Sequence, residues 1–397
     1  MKKSTDRIPE LDGIRVIMIF IVSWYHLWQQ SWLTPYIGSY SLDYLLRSGY
    51  IWVDGTVLLS AFLLFLPYAR VMLHGGTVPD TRDFYRRRAC RILPSWYFII
   101  LLFFFAMCLP WHLYTSPQFM VKDLATHFTF TFNFWADTYI STPLGAAPWT
   151  LAVEVQAYIL FPWIAKSVMK HPVRTLGTML ILCLGFRAWC IWSLTDYSMV
   201  VNQLIDFLDV YVLGILLSML YVRMEKAKLN GPSGTLKRIL ATVIFLSAVF
   251  CLLRLLRVQA ASNGYTAIQR HQMEYRPLFA VCFGAMVISC PFALLPLRFL
   301  LGNPVMRFLS AISMNYYLVH QTLFVQLRRM RIPFSESDTP NITGDRVWQA
   351  EYTWLCFGLS LILAVLITYL IEKPVSRLLR KQVGRKQAIP PARIPRV

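Results

Sequence analysis

Glu10-Leu-Asp-Gly-Ile-Arg15, running straight into an apolar stretch that carries His26, is the segment around which the rest of the chain is organised. Arg15 and His26 are eleven positions apart. At ~100° per residue they fall within ~20° of one helix face, and at ~1.5 Å rise they lie ~16 Å apart along the axis. Such a helix puts the arginine at a membrane surface and the imidazole about halfway through the hydrocarbon. An ionisable group at that depth is expensive and by default marks a function. The plainer reading is a histidine that only hydrogen-bonds a neighbouring helix.

Composition sets the class. Of 397 residues, 56% are hydrophobic and 15% charged, against about 25% charged in soluble domains, and the mean hydropathy is +0.49. Repeated apolar runs of bilayer length argue for one polytopic membrane domain rather than two or three soluble ones. A net charge of +19 would suggest nucleic acid in a soluble protein, but here the cations gather in short loops between apolar runs, the positive-inside pattern. No nucleic acid is expected as a partner; the bilayer is. The eight cysteines show no CxxC or Cys/His metal spacing, so they read as small core residues and no metal is expected. The basic N-terminus precedes a long apolar run without a small-residue cleavage site, which predicts a retained first span.

The fold class read from this pattern is all-α, with about ten transmembrane helices. They fall near 14–34, 50–69, 92–110, 149–166, 174–194, 203–222, 238–256, 276–296, 305–327 and 353–372. Between the second and third lies a basic loop, Asp83 to Arg91, with Pro94 opening the third span. Residues 111–147 read as a long polar-aromatic loop in which His112 and His127 are exposed and dispensable. The transmembrane domain is expected over 1–372, followed by a basic, proline-rich cytosolic tail over 373–397. No internal repeat is visible. Ten spans place both termini on one side, and about 28 Lys/Arg fall on that side against about 10 opposite. Both termini are therefore expected in the cytosol and the protein in the plasma (cytoplasmic) membrane.

Depth then follows from direction. His26 and His320 lie roughly two-thirds of the way across, and Asp54 and Glu154 within one or two turns of the outer ends. Four ionisable groups at one depth favour a buried polar site over a His–Glu bridge that simply holds helices together. On the opposite face Arg86, Arg87, Arg88 and Arg91 gather near Arg15. Polybasic segments beside a membrane serve topology and anionic lipid. Equally, arginine forks bind phosphate, as a nucleotide-bearing cosubstrate would require.

These residues resemble the acyltransferase 3 family of integral membrane acyltransferases. Leu11-Asp-Gly-Ile-Arg15 with His26 is similar to its Arg-x10-His signature, and Arg88-Ala-Cys-Arg91 to its RxxR motif. Trp149-Thr-Leu-Ala-Val-Glu154, Tyr317-Leu-Val-His320 and Glu372-Lys-Pro374 match its W-[ST]-L-x-x-E, Y-L-x-H and E-x-P elements, in the same order along nearly the whole chain. The second span departs from the family's S-G-F ending and reads Ser60-Ala-Phe62, with Ala61 in the glycine position. The resemblance implies transfer of an acyl group, usually acetyl, from cytosolic acyl-CoA to a hydroxyl on an extracytoplasmic or membrane-associated acceptor. The typical acceptor is a carbohydrate of the cell surface; others are lipid-linked sugars or secondary metabolites. Some members carry a fused hydrolase-like domain after the last span; here any such partner is expected to be a separate protein.

The geometry suits that chemistry. CoA phosphates held by Arg15, Arg87, Arg88 and Arg91 would let the pantetheine arm reach towards His26 over the ~16 Å that separates Arg15 from it. Neutral imidazole could deprotonate the acceptor hydroxyl, with Glu154 or Asp54 fixing its tautomer; an acyl-histidine intermediate is the covalent variant. His320 would bind acceptor or stabilise the oxyanion, or be structural. The rival class is a proton-coupled transporter or flippase of a glycan or metabolite, in which the same His, Asp and Glu form a relay.

Overall fold

Helix α1 (Glu10–Ser31) runs the length predicted from its opening motif, in a computed structural model that describes residues 7–145, 147–225 and 231–379. The further helices are α2 (Trp52–His74), α3 (Thr81–Phe103), the short α4 (Pro117–Phe128), α5 (Trp149–Lys170) and α6 (Pro172–Ser193). They continue with α7 (Leu208–Glu225), α8 (Gly231–Ala260), α9 (Tyr265–Ser289), the short α10 (Leu295–Gly302), α11 (Pro304–Arg329) and α12 (Arg346–Leu366). The protein is all-α and multi-pass. Among the described residues the strands amount to one two-residue hairpin, Tyr36–Ile37 against Tyr40–Ser41.

Among the described residues, nine helices are long and apolar enough to cross a bilayer. The remaining predicted span, the ninth in order, is α11; it is equally long but carries Ser310, Ser313, Asn315, Tyr316 and His320, all buried. Its polar face is turned inward: Ser310, Asn315 and Tyr316 bond groups of other helices, while Ser313 and His320 Nδ1 bond carbonyls of α11 itself. α11 pairs with α1 at three heights. The Ser310 hydroxyl donates to Asp12 at 3.0 Å and accepts from Arg15 at 3.2 Å; Ser23 and Tyr316 share a hydrogen bond of 2.6 Å; Gln321 meets His26 at 3.3 Å. The sequence offset between partners stays between 293 and 298. The two helices therefore run parallel and in register.

Three sequence expectations change. The basic segment is no loop: Asp80 caps α3 by accepting from the Asp83 N–H at 2.8 Å. Asp83 sits in the first turn, where the helix dipole favours it, and pairs with Arg86 and Arg87. Arg88 and Arg91 thus ride on a rigid helix, and Pro94 lies inside it. Nor is 111–147 an exposed loop. Ser116 caps α4, whose His127 is 1% exposed and stacks on Phe132 at 4.2 Å. His127 Nδ1 donates to the Asp123 carbonyl at 2.8 Å; the Asp123 carboxylate also accepts from Tyr114 and Thr142. Burial beside Asp123 pushes the Tyr114 phenol well above its usual range. Only His112 is exposed as expected. Finally, helical structure continues from α12 through residue 379; the prolines at 390, 391 and 395 lie outside the described residues.

Two glycines set the closest helix approaches. A Cβ on Gly13 would stand 2.3 Å from the Leu301 carbonyl oxygen and 2.6 Å from its Cα, backbone atoms at the end of α10. A Cβ on Gly214 of α7 would meet the Ala61 Cβ at 2.7 Å and the Leu58 carbonyl at 2.8 Å on α2. Ala61 is thus accommodated because its partner helix supplies the glycine. Gly13→Ala forces backbone to move and is expected to destabilise the fold by about 1–3 kcal/mol. Thermal unfolding of the purified protein checks this; an unchanged Tm would show that α10 yields freely.

Candidate functional site

A cavity of about 130 Å³ lies between α1, α2, α3, α5 and α11. Arg15, Arg88 and Arg91 line it towards one end, and Thr150 and Tyr317 towards the other. Arg15 is held by Ser310 and faces Asp12 at 4.0 Å; Asp12 in turn takes Arg7 at 2.7 Å. The leucine-aspartate-glycine-isoleucine-arginine motif therefore presents one guanidinium, with Asp12 as its brace and Gly13 as its close contact. Arg88 lies over the rings of Tyr158 and Phe84 at 5.2 and 5.6 Å, which fixes its plane without neutralising its charge. Arg91 is exposed and stands at the mouth. The helix end after α12, Ile367–Glu372, packs on α3 nearby, and Glu372 accepts from Asn315 at 2.7 Å. Arg87 is exposed, pairs with Asp83 and is not among the cavity residues.

At the far end Tyr317 closes the lining. Its hydroxyl donates to the Ala147 carbonyl and accepts from Thr150 at 2.8 Å. Its ring lies 5.3 Å from that of His320, and His320 lies 5.2 Å from His26. The two histidines thus form a pair just beyond the cavity. His320 is fully buried; its Nδ1 donates to the Tyr317 carbonyl at 2.6 Å, and its Nε2 has no partner. His26 is half-buried, with Nδ1 2.9 Å from Gln29 Oε1. Nδ1 also lies 3.3 Å from the Gln321 amide nitrogen, but one ring nitrogen serves only one of the two. With Gln29 accepting at the shorter distance, the proton sits on Nδ1, Gln321 is a neighbour rather than a hydrogen-bond donor to it, and Nε2 keeps its lone pair. A ring nitrogen buried without a partner is costly unless chemistry uses it.

The expected carboxylates part company. Glu154 lines the cavity between Thr150 and Tyr158. Asp54 does not. It points away, with Arg276 Nε at 3.3 Å. Arg276 also pairs with Asp206, and Asp206 with Arg187 at 2.8 Å; Arg187 further reaches Asp209 at 3.0 Å. Asp54, Asp206 and Arg276 are each fully buried, and Arg276 lies over Phe207 at 4.0 Å. This network ties α2, α6, α7 and α9 together. Among the described residues, no hydrogen bond or ion pair joins Asp54 or Glu154 to either histidine; Gln29 and Gln321 take that place. The structure thus brings together Arg15, Arg88, Arg91 and Glu154 around the cavity and sets the His26–His320 pair beside it. It leaves Asp54 and Arg87 apart. The glutamines were missed because only the i, i+3 spacing of His26 and Gln29 signals one of them. Arg276 and Asp206 were missed as well, although a charge within a span is a signal that could have found them. No group of His, Cys, Asp and Glu with metal-holding geometry occurs among the described residues.

A family model described as Acyltransferase domain matches residues 8–373. The chain is similar to the O-acetyltransferase OatA of Staphylococcus aureus, with 24% identity over 232 residues, 54% of this chain and 35% of that protein. A putative peptidoglycan O-acetyltransferase of Bacillus subtilis, YrhL, is 26% identical over 387 residues, 93% of this chain and 55% of that one. The chain spans about a third to half the length of these relatives. No solved structure matches it.

Removing the cation at the centre of the buried network leaves Asp54 and Asp206 without their shared counter-charge. Arg276→Met is therefore expected to destabilise the fold by about 3–5 kcal/mol. Denaturant or thermal unfolding of the variant in detergent is the check, and near wild-type stability would show that the aspartates find other partners.

Proposed function

Since the chain belongs to the acyltransferase 3 family of membrane-spanning acyltransferases, we propose that it is an O-acetyltransferase working from acyl-CoA onto a hydroxyl of a glycan or membrane-associated acceptor. The observation that carries this reading is one cavity with three guanidinium groups towards one end and, at the other, a tyrosine in ring contact with a histidine pair. The names of its relatives, O-acetyltransferases, support the acyl group and the glycan class.

Each part has a task. The cavity of about 130 Å³ has room for several waters, which suits the acyl-thioester end of the donor. The nucleotide phosphates stay at the mouth, against Arg91, Arg88 and Arg15, where guanidinium forks make paired charge-assisted bonds. His26 Nε2 takes the proton of the acceptor hydroxyl; the oxygen attacks the thioester carbon, the C–S bond breaks, and the CoA thiolate recovers the proton. Gln29 holds the imidazole tautomer, the task that a carboxylate performs in hydrolytic triads. His320, with its free Nε2, lies beside the reacting centre. The Arg15 end faces the cytosol, where acyl-CoA is made, and the His26 end faces the acceptor, in line with the excess of Lys/Arg on one side. A proton-coupled transporter would join its carboxylates and histidines into one relay, and Asp54 is instead bound to Arg276.

In sealed vesicles holding the full chain, acetyl-CoA supplied at the Arg15 side is expected to acetylate a membrane-impermeant glycan at the other side. His26→Ala should lower that rate by about 10²–10⁴, the usual worth of a general base, while acyl-CoA still binds. Acetylation only where donor and acceptor share a side defeats the crossing, and near wild-type transfer by the variant removes His26 from the chemistry.

Arg88→Ala and Arg91→Ala should each raise the KM for acetyl-CoA, as expected for losing charge-assisted bonds of about 1.5–3 kcal/mol. Lysine at either position should restore only part, because the fork is gone. Steady-state kinetics with acetyl-CoA varied gives the answer; unchanged KM values would return these arginines to a purely topological role.

A further inference from the structure

The far end of the bundle carries a second group of guanidiniums that the donor reading does not use. Arg328, Arg329 and Arg331, at the end of α11, line a pocket of about 290 Å³ together with Ser335, Ser337 and Trp348. Arg328 lies eight residues beyond His320 on the same helix, ~12 Å further along its axis and away from Arg15. The pocket therefore opens at the histidine end.

Its parts are set in place. The Arg328 guanidinium sits 4.7 Å over the Trp348 ring and donates to Asn341 Oδ1 at 2.6 Å. Trp348 is itself anchored by donating to the Pro333 carbonyl at 3.0 Å. Arg331 donates to the Ser335 carbonyl at 3.2 Å and pairs with Asp338 at 2.9 Å, a carboxylate that is 88% exposed. Arg329 is exposed and makes no hydrogen bond or ion pair among the described residues. Three cations thus face one carboxylate of the lining, and that one is mostly given to water. Arg331 has φ 55°, at a helix C-terminus where glycine is the cheaper residue. Nor does topology call for these charges. The positive-inside rule places cations at the Arg15 end, and this cluster stands at the other.

We infer that this pocket binds a carboxylate of an acidic acceptor glycan and holds that glycan so that a neighbouring sugar presents its hydroxyl to His26. The inference rests on the proposed function for the acceptor's side of approach. Arginine forks match the planar carboxylate, and the Ser335 and Ser337 side chains in a concave site suit sugar hydroxyls, which a lipid phosphate would not need. With ~12 Å between Arg328 and His320 along the axis, the sugar that carries the acid and the sugar that is acetylated are different units of one oligosaccharide.

The test reads binding separately from transfer. The full chain in neutral phosphatidylcholine nanodiscs is treated with phenylglyoxal, and mass spectrometry follows the labelling of Arg329 and Arg331. An oligogalacturonate is expected to slow labelling of both several-fold, while a neutral galacto-oligosaccharide of equal length does not. Equal protection by the neutral sugar, protection by neither, or protection only when phosphatidylglycerol replaces the neutral lipid overturns the inference. In the second arm, Arg329→Gln with Arg331→Gln should raise the KM for an acidic acceptor about tenfold or more with no change in the KM for acetyl-CoA; an unchanged acceptor KM overturns it as well. If protection is seen yet no acetyl is transferred by the wild type, the pocket stands and the proposed reaction falls.

Discussion

Helix α1 is held to α11 by polar contacts at three heights, and most of what the site can do depends on that seam. Inside a bilayer no water is available to satisfy a stray hydroxyl or guanidinium, so each must find a protein partner. Asp12 and Arg15 find Ser310, Ser23 finds Tyr316, and His26 finds Gln29 on its own helix with Gln321 of α11 beside it. Because these contacts keep a near-constant offset, rotating either helix would break all three at once. Gly13 allows the same end of α1 to sit against the Leu301 backbone, which locks its height as well as its rotation. Arg15 and His26 are therefore presented as a rigid pair, a requirement for positioning reactants to within a fraction of an ångström.

The remaining polar groups divide into two kinds. Those along the cavity are only partly paired: Glu154 has no partner among the described residues, and Arg88 is stacked rather than ion-paired. Those of the Asp54–Arg276–Asp206–Arg187–Asp209 network are tied to one another. A buried network of that sort adds little net stability over well-packed apolar residues, but a helix arrangement that separated its members would leave buried charges unpaired, at a cost of about 3–5 kcal/mol. Such specificity matters in lipid, where apolar faces alone do not tell one helix neighbour from another.

The architecture was legible because its signals are long. Apolar runs of bilayer length and the collinear motifs identify all ten long helices among the described residues, and helix-face arithmetic pairs Arg15 with His26 on α1. What escaped the sequence was lateral. Asp54 and Glu154 share a depth with the histidines, yet depth does not say which way a side chain points. Asp54 turns towards α9, while Val53 and Thr56 beside it face the cavity. His127 looked exposed because its segment is polar, whereas aromatic stacking on Phe132 and Trp96 draws it inside. The run of arginines looked like a loop because charge was weighed above the Asp80 cap. Ala61 looked like a departure because its compensating glycine lies about 150 residues away, at Gly214.

The seam between α1 and α11 also has a history in time. α1 leaves the ribosome before α11, which follows only after about 270 further residues. At ~5–20 residues per second that is a wait of roughly 15–55 s. Throughout that interval Arg15 and Ser23 are without the α11 groups that later satisfy them, while Asp12 keeps Arg7. Arg15, near the end of its helix, can reach towards the membrane surface in the meantime. His26 has only Gln29, one turn away, which travels with it. The local glutamine thus serves during synthesis as well as after it, supplying a partner to the imidazole that enters the membrane long before the bundle closes.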